Sequence, residues 1–354
     1  MLRVEGIAVA PRAEALTFAR FERDGQMHLL LVSSYGPDTV RGVDLTEATS
    51  ERFDDPVTVF RVLGYEGVLL RALGGIDISV RREYLTLPVD LTGSHIAVGT
   101  NFPEHAQESE VTDGPFLFPK EVIPTAYNAP VSAGDALLDY EVELCFVTLD
   151  DLDLDVAPAH IGLTLCNDVT DRAKLLRSAD PRNVTSGKGF TTAKSGTGYF
   201  PLGSLFVIPR DYRKFVSKLE LKLWRNGAVM QQAMQSEAIW DFDALLRETK
   251  ARKSLAWDHQ HRAVPLPLAG NVIPARTGLL AGTPDGTIFQ GIAKSAIARG
   301  LLDWLTGGWG KPVTHWIVER QIARERRLQR YLRPCEVVTI RVEEMGELRN
   351  PITA

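Results

Sequence analysis

The stretch Asp139-Tyr140-Glu141-Val142-Glu143-Leu144-Cys145-Phe146-Val147 decides the fold. β-Branched and aromatic residues dominate it, and the alternation has period two, which predicts a β-strand. Side chains at i and i+2 leave a strand on the same face, so Glu141 and Glu143 point together, beside Cys145 and Val147. Tyr140, Val142, Leu144 and Phe146 occupy the other face. Both faces are expected to be at least partly buried, and two adjacent buried carboxylates repel. They must hold a proton between them or share a cation. A Glu-x-Glu seen alone is more often the wet face of an edge strand; the residues that follow reverse that expectation.

A second short apolar strand is expected at Ile161-Gly162-Leu163-Thr164-Leu165-Cys166, ending in Asn167-Asp168-Val169-Thr170-Asp171-Arg172. Asp168, at the mouth of a buried strand, is well placed to join Glu141 and Glu143. Three oxygen donors without His or Cys suit a hard cation, Mg²⁺ first, then Mn²⁺ or Ca²⁺. Next comes Ser186-Gly187-Lys188-Gly189-Phe190-Thr191-Thr192, a glycine-flanked lysine before a strand-like segment. If Lys188 approaches the site, three carboxylates, one divalent ion and one ammonium cancel. Elsewhere it would be an exposed loop lysine.

With these residues in view the chain resembles the fumarylacetoacetate hydrolase family. The matching segments keep the family's order: Gly99-Thr100-Asn101-Phe102-Pro103-Glu104-His105-Ala106-Gln107-Glu108, Phe116-Leu117-Phe118-Pro119-Lys120, Asp139 to Leu144, Asn167-Asp168 with Arg172, and Lys188-Gly189-Phe190-Thr191-Thr192. Phe200-Pro201-Leu202-Gly203, Arg225-Asn226-Gly227, Gly282-Thr283-Pro284-Asp285-Gly286 and Gly346-Glu347-Leu348-Arg349-Asn350 complete the set. The resemblance implies an α+β, β-rich fold, a mixed β-sheet roll, with a metal held by Glu141, Glu143 and Asp168. It places Lys188 and Thr192 on the substrate side of a Mg²⁺ or Mn²⁺ ion. It gives Arg172 and Thr283 substrate contacts, and it makes His105 and Glu108 a catalytic dyad one helical turn apart. Two departures stand out: Asp171-Arg172-Ala173-Lys174-Leu175 keeps the arginine but lacks the glutamine common in relatives, and Lys188 precedes Gly-Phe-Thr rather than Ser-Phe-Asp.

The implied chemistry is cleavage of a C–C bond in a 1,3-dicarbonyl or 2-oxo acid. The ion would stabilise the enolate, His105 would deprotonate water, and Lys188 would hold oxyanion charge. The same groups without an attacking water serve a decarboxylase, isomerase or hydratase. A non-catalytic binding protein of the same shape is the reading from another class, and the intact residue set argues against it.

Composition is that of an ordinary globular chain of 354 residues, 44% hydrophobic and 24% charged, long enough for two domains. A small α/β domain is expected over residues 1–85, containing the strand Leu29-Leu30-Leu31-Val32 and a glycine-interrupted helix from Pro56 to Ala72. Thr86-Leu87-Pro88-Val89-Asp90 would link it to a catalytic domain over 86–354. The net charge of −5 gives no reason to expect a nucleic-acid partner. Cys145, Cys166 and Cys335 read as separate buried thiols of a reducing compartment. Met1-Leu2-Arg3-Val4-Glu5-Gly6 lacks a signal peptide's apolar region, and no apolar run approaches the ~18 residues of a membrane span. A cytoplasmic enzyme acting on a small-molecule oxo acid, dimeric as relatives are and without a membrane partner, is therefore expected.

Two stretches exceed the family outline. Asp258-His259-Gln260-His261 reads as a polar loop rather than a second metal site. Residues 288–333 are expected to hold two amphipathic helices, one through Ile292, Ala296, Leu301, Leu302 and Leu305, the other through Val313, Ile317, Leu328 and Leu332. This insertion would either cover a substrate larger than a C4 acid or form a subunit contact.

Overall fold

The computed structural model describes residues 6–47, 51–109, 111 and 113–354. The first five residues, on which the expectation about a leader rests, lie outside the described residues. A ten-stranded sheet runs through the molecule. In spatial order its strands are Ile76–Arg81, Thr39–Asp44, Gln26–Tyr35, Ala15–Arg23, Phe206–Pro209, Gly162–Asn167, Val142–Val147, Gly278–Leu280, Ser94–Gly99 and Phe116–Glu121. Gly278–Leu280 and Ser94–Gly99 run parallel and the other neighbours antiparallel. A five-stranded sheet, Ala228–Met234, Glu220–Arg225, Val337–Val342, Gly346–Thr353 and Val131–Ser132, packs against it. The architecture is α+β and β-rich, with a large mixed sheet, as expected.

Among the described residues eight α-helices connect these strands: α1 (Pro56–Leu73), α2 (Pro103–Glu108), α3 (Arg172–Ser178), α4 (Phe190–Lys194), α5 (Tyr212–Ser217), α6 (Phe242–Ala251), α7 (Lys294–Leu305) and α8 (Val313–Leu328). The expected kink in α1 lies at Gly64, whose φ of 66° few side-chain-bearing residues adopt. The four N-terminal strands share the main sheet, because Ala15–Arg23 pairs with Phe206–Pro209. Two ion pairs reinforce the join, Arg20 with Asp90 and Arg276 with Asp55, each at 2.7 Å.

The strand expected over Asp139–Val147 is broken into Leu138–Asp139 and Val142–Val147. Side chains replace ladder bonds at the break. Asp139 accepts from the backbone N–H groups of Tyr140, Ile288 and Phe289, and the Glu141 N–H donates to Asn167 Oδ1 at 3.0 Å. Both faces of Val142–Val147 are buried, as period two implied. Cys145 and Cys166 correct the expectation of separate thiols. They form a disulfide across adjacent strands, with a Cα–Cα distance of 6.2 Å. Their 21-residue separation conceals this, since only the pairing of Cys145 with Thr164 and of Cys166 with Glu143 brings the sulfurs together. Cys335 is free and exposed, not buried. Phe190-Thr191-Thr192 is also corrected: it is helical and opens α4, entered through Gly187 and Gly189 at φ 70° and 87°. The polar loop at Asp258–His261 is the tip of a two-stranded hairpin, Ala256–His259 with Arg262–Pro265.

Candidate active site

Glu141 and Glu143 flank the start of the central strand, and Asp168 follows directly on its neighbour. The Asp168 N–H donates to the Glu141 carbonyl at 3.0 Å, which fixes the two chain segments side by side. All three carboxylates are buried, and one oxygen from each lies within 4.8 Å of the others. The sequence expectation that these three converge agrees with the structure.

Two lysines close this cluster. Lys194, at the end of α4, puts its Nζ 2.6 Å from Glu141 and 2.8 Å from Asp168. Lys120 is fully buried, 2.6 Å from Asp168, and donates also to the Lys194 and Tyr199 carbonyls. Arg172, first residue of α3, bonds Asp139 and Glu141, each at 2.8 Å. Lys188 lies elsewhere: it is exposed in the loop between Gly187 and Gly189. Thr192 is half-buried and faces the hairpin, 3.3 Å from His259 Nδ1.

The electrostatics follow from this arrangement. Four buried carboxylates (Asp139, Glu141, Glu143, Asp168) face three buried cations (Lys120, Lys194, Arg172), so one negative charge has no counterpart. Glu143 absorbs the imbalance. Burial, and then the neighbouring Asp168, raise its carboxyl well above the ordinary range. Burial would raise Glu141 too, but Lys194 and Arg172 outweigh it and hold that carboxyl low. Burial likewise opposes the charge on Lys194, yet Asp168 and Glu141 raise it overall. Burial dominates at Lys120 and lowers it.

One Glu143 oxygen accepts from the Gly282 N–H at 2.7 Å. The other is buried without a hydrogen-bond partner. A buried carboxylate oxygen left unpaired is costly, and a cation beside it removes that cost. The donor set therefore fits a hard divalent ion at Glu141, Glu143 and Asp168. A second trio, His28, Asp44 and Glu47, also brings its donors within 4.8 Å, but Arg23 already pairs with both carboxylates.

α2 presents the dyad. His105 Nδ1 lies 3.2 Å from Glu108 Oε2, and Glu108 is itself held by the Gly286 N–H and the Thr287 hydroxyl. His105, Glu141, Arg172, Lys194 and Thr283 line one cavity of about 870 Å³, within the size range of small-molecule sites. Thr283 is held in the wall by the Gln231 amide at 2.9 Å. The cavity's far side is formed by α7, α8 and the segment between them.

The sequence profile described as fumarylacetoacetate (FAA) hydrolase C-terminal matches residues 94–353. The chain belongs to the fumarylacetoacetate hydrolase family. Solved structures of similar fold include a fumarylacetoacetate hydrolase from the psychrophile Exiguobacterium antarcticum, with 19% identity and a TM-score of 0.61 over 96% of this chain and 99% of that one. A 5-carboxymethyl-2-hydroxymuconate delta-isomerase from Mycobacterium smegmatis shows 19% identity and a TM-score of 0.55 over the same shares. A 2-hydroxyhepta-2,4-diene-1,7-dioate isomerase from Mycobacterium marinum shows 18% identity and 0.54, over 96% and 98%. At these identities the likeness speaks for the fold. Among curated proteins, none matches.

Within the family frame, sequence reading missed Lys194, Lys120 and Asp139. Each left a signal. Period two places Lys120 on one strand face with Phe116 and Phe118, both buried, so it needs a buried counterion. Asp139 stands two residues before Glu141. Thr191 and Lys194 share a face of α4 at i, i+3, and both are buried, a signal available only once the segment is recognised as helical.

Proposed function

We propose that the chain is a divalent-metal-dependent hydrolase that cleaves a C–C bond in an acylpyruvate-like 2-oxo acid, with Mg²⁺ or Mn²⁺ held by Glu141, Glu143 and Asp168. The observation that carries it is the unpartnered Glu143 oxygen in a buried carboxylate trio whose cavity the His105–Glu108 pair also lines. A bound ion supplies Lewis acidity that stabilises the enolate left by C–C cleavage. Glu108 accepts from Nδ1–H of His105, which fixes the tautomer and leaves Nε2 free to take a proton from water. That water adds to the acyl carbonyl carbon. The bond to the methylene carbon then breaks, its electron pair passes to the enolate, the proton held on His105 Nε2 passes to the methylene carbon, and an acid and a pyruvate are released. Lys194 and Arg172 meet negative oxygens of the substrate; Thr283 lines the cavity beside them. Lys188 and Thr192, expected there too, do not line the cavity: Lys188 is exposed and Thr192 faces His259.

Isomerisation is the second reading. The two mycobacterial neighbours carry isomerase names, and the same base without an attacking water moves a proton along a dienol. The enzyme is also proposed to act as a cytoplasmic homodimer; among the described residues no helix is long and apolar enough to cross a membrane.

Product analysis on a panel of acylpyruvates and oxaloacetate, with and without Mg²⁺, tests the reaction class. His105→Ala is expected to lower turnover by about 10²- to 10⁴-fold while Mg²⁺ still binds. Near-normal turnover in that variant would place the base elsewhere.

A further inference from the structure

The cavity extends well beyond the carboxylates, and its character changes along the way. At the floor stand Glu141, Arg172 and Lys194. Beyond them the wall is apolar: Leu176, Val184 and Phe190 on one side, and Ile297, Ile317 and Val318 of the insertion on the other. The charged side chains that line this outer part are Arg177, Glu319 and Lys311, the last exposed to solvent. Arg177 makes two bonds to Glu319, at 2.7 and 3.0 Å, and Lys311 Nζ lies 3.2 Å from His315 Nε2. The two insertion helices are set closely enough to form one surface. Gly300 of α7 lies against α8 where a Cβ would stand 2.5 Å from the Ile317 backbone nitrogen.

We propose that this outer stretch binds an uncharged apolar tail, alkyl or aryl, at the acyl end of the substrate, and that α7 and α8 are the wall that selects it. The proposal rests on the metal-site reading above, which supplies the polar head, and adds the chemical class of what lies beyond it. The physical ground is desolvation. A carboxylate-ended tail placed among Leu176, Phe190, Ile317 and Val318 would exchange its water for apolar side chains, and Arg177 is already committed to Glu319. A methylene chain there gains by leaving water.

Calorimetry with N-alkyl oxamates from methyl to hexyl, in Mg²⁺, tests the tail separately from the reaction. Affinity is expected to rise about fourfold per methylene, following the transfer free energy of a buried CH₂. Ile297→Asp, at a position 44% exposed and so tolerant of a charge, should lower the hexyl-to-methyl affinity ratio at least tenfold. Equal affinity across the series, with methyl oxamate still bound in a Mg²⁺-dependent way, would overturn the tail and leave the proposed function standing. Tighter binding of a carboxylate-ended oxamate than of the alkyl one of equal length would overturn it as well. An unchanged ratio in Ile297→Asp would remove the insertion as the selecting wall. Absence of Mg²⁺-dependent binding by any member would overturn the metal-site reading, and the tail with it.

Discussion

The floor of the cavity and its outer wall are built on opposite principles. At the floor, seven charged side chains from strands and short helices are buried, and each is tied to a partner of opposite charge or to the backbone. At the wall, two helices contact chiefly each other and leave Leu301, Leu302, Leu305 and Trp309 between 44% and 72% exposed. Buried charges tolerate almost no displacement, because each lost partner strands its counterpart in a poorly solvated place. An apolar helical wall tolerates shifts and substitutions, because its contacts are non-directional. On the proposed function, chemistry is accordingly fixed in the sheet, and discrimination is free to vary in the helical wall.

The largest effect is expected where the floor lacks one positive charge. Glu143→Gln should abolish both Mg²⁺-dependent turnover and the thermal stabilisation that Mg²⁺ confers, measured by scanning calorimetry. The metal-free protein should be no less stable than the parent, since burial and Asp168 already push this carboxyl towards its neutral form. A full Mg²⁺ shift in the variant would take Glu143 out of the site.

Next in size is the contrast between two lysines six residues apart. Lys194→Met leaves Glu141 and Asp168 facing an apolar side chain and should destabilise by about 3–5 kcal/mol in denaturant titration. Lys188→Met, at an exposed loop position, should stay within about 0.5 kcal/mol. Equal costs would contradict the placement of Lys194 at the floor.

The wall should behave differently. Replacing residues 290–308 with a short Gly/Ser linker should preserve the Mg²⁺ thermal shift while erasing the preference for long-tailed substrates. Light scattering on the same protein separates a cover from a subunit contact, because dissociation to monomer would assign the exposed α7 face to a second copy. Loss of the Mg²⁺ shift would show that floor and wall are one unit.

A pH-dependent effect concerns His95, behind the floor. The Gly278 N–H donates to its Nδ1 at 3.1 Å, and its Nε2 lies 3.2 Å from the Val122 carbonyl, so the ring is held neutral. Burial, and then Lys120, depress it to about 3. A depressed folded value means that the unfolded chain binds the extra proton first. The contribution is complete above the unfolded value of about 6.5 and is lost as pH falls towards 3, by at most about 1.4 kcal/mol per unit. His95→Gln should lack that slope, so that the difference between the two stability curves changes with pH. Parallel curves across pH 6.5 to 4 would mean that His95 accepts a proton in the folded state.

Local pattern made much of this legible. Period two put Glu141 and Glu143 on one face, Asp168 at a strand mouth completed the trio, and an i, i+3 spacing joined His105 to Glu108. Helical periodicity found α7 and α8. These signals survive because each depends on residues a few positions apart, whose relative direction the backbone sets. A glycine-flanked Lys188 looks free to approach a site, whereas the turn through Gly187 and Gly189 carries Lys188 outward and begins a helix that carries Lys194 inward.

The sequence by itself determined the β-rich class, the family and a carboxylate trio, since alternation and motif order are properties of the chain. Only the tertiary structure decided which lysines meet those carboxylates, that Cys145 and Cys166 are joined, that the N-terminal strands extend the main sheet, and that the insertion lines the cavity. Each of these depends on contacts between segments far apart in sequence. Such contacts are selected by burial and charge pairing in three dimensions, and local pattern carries no record of them.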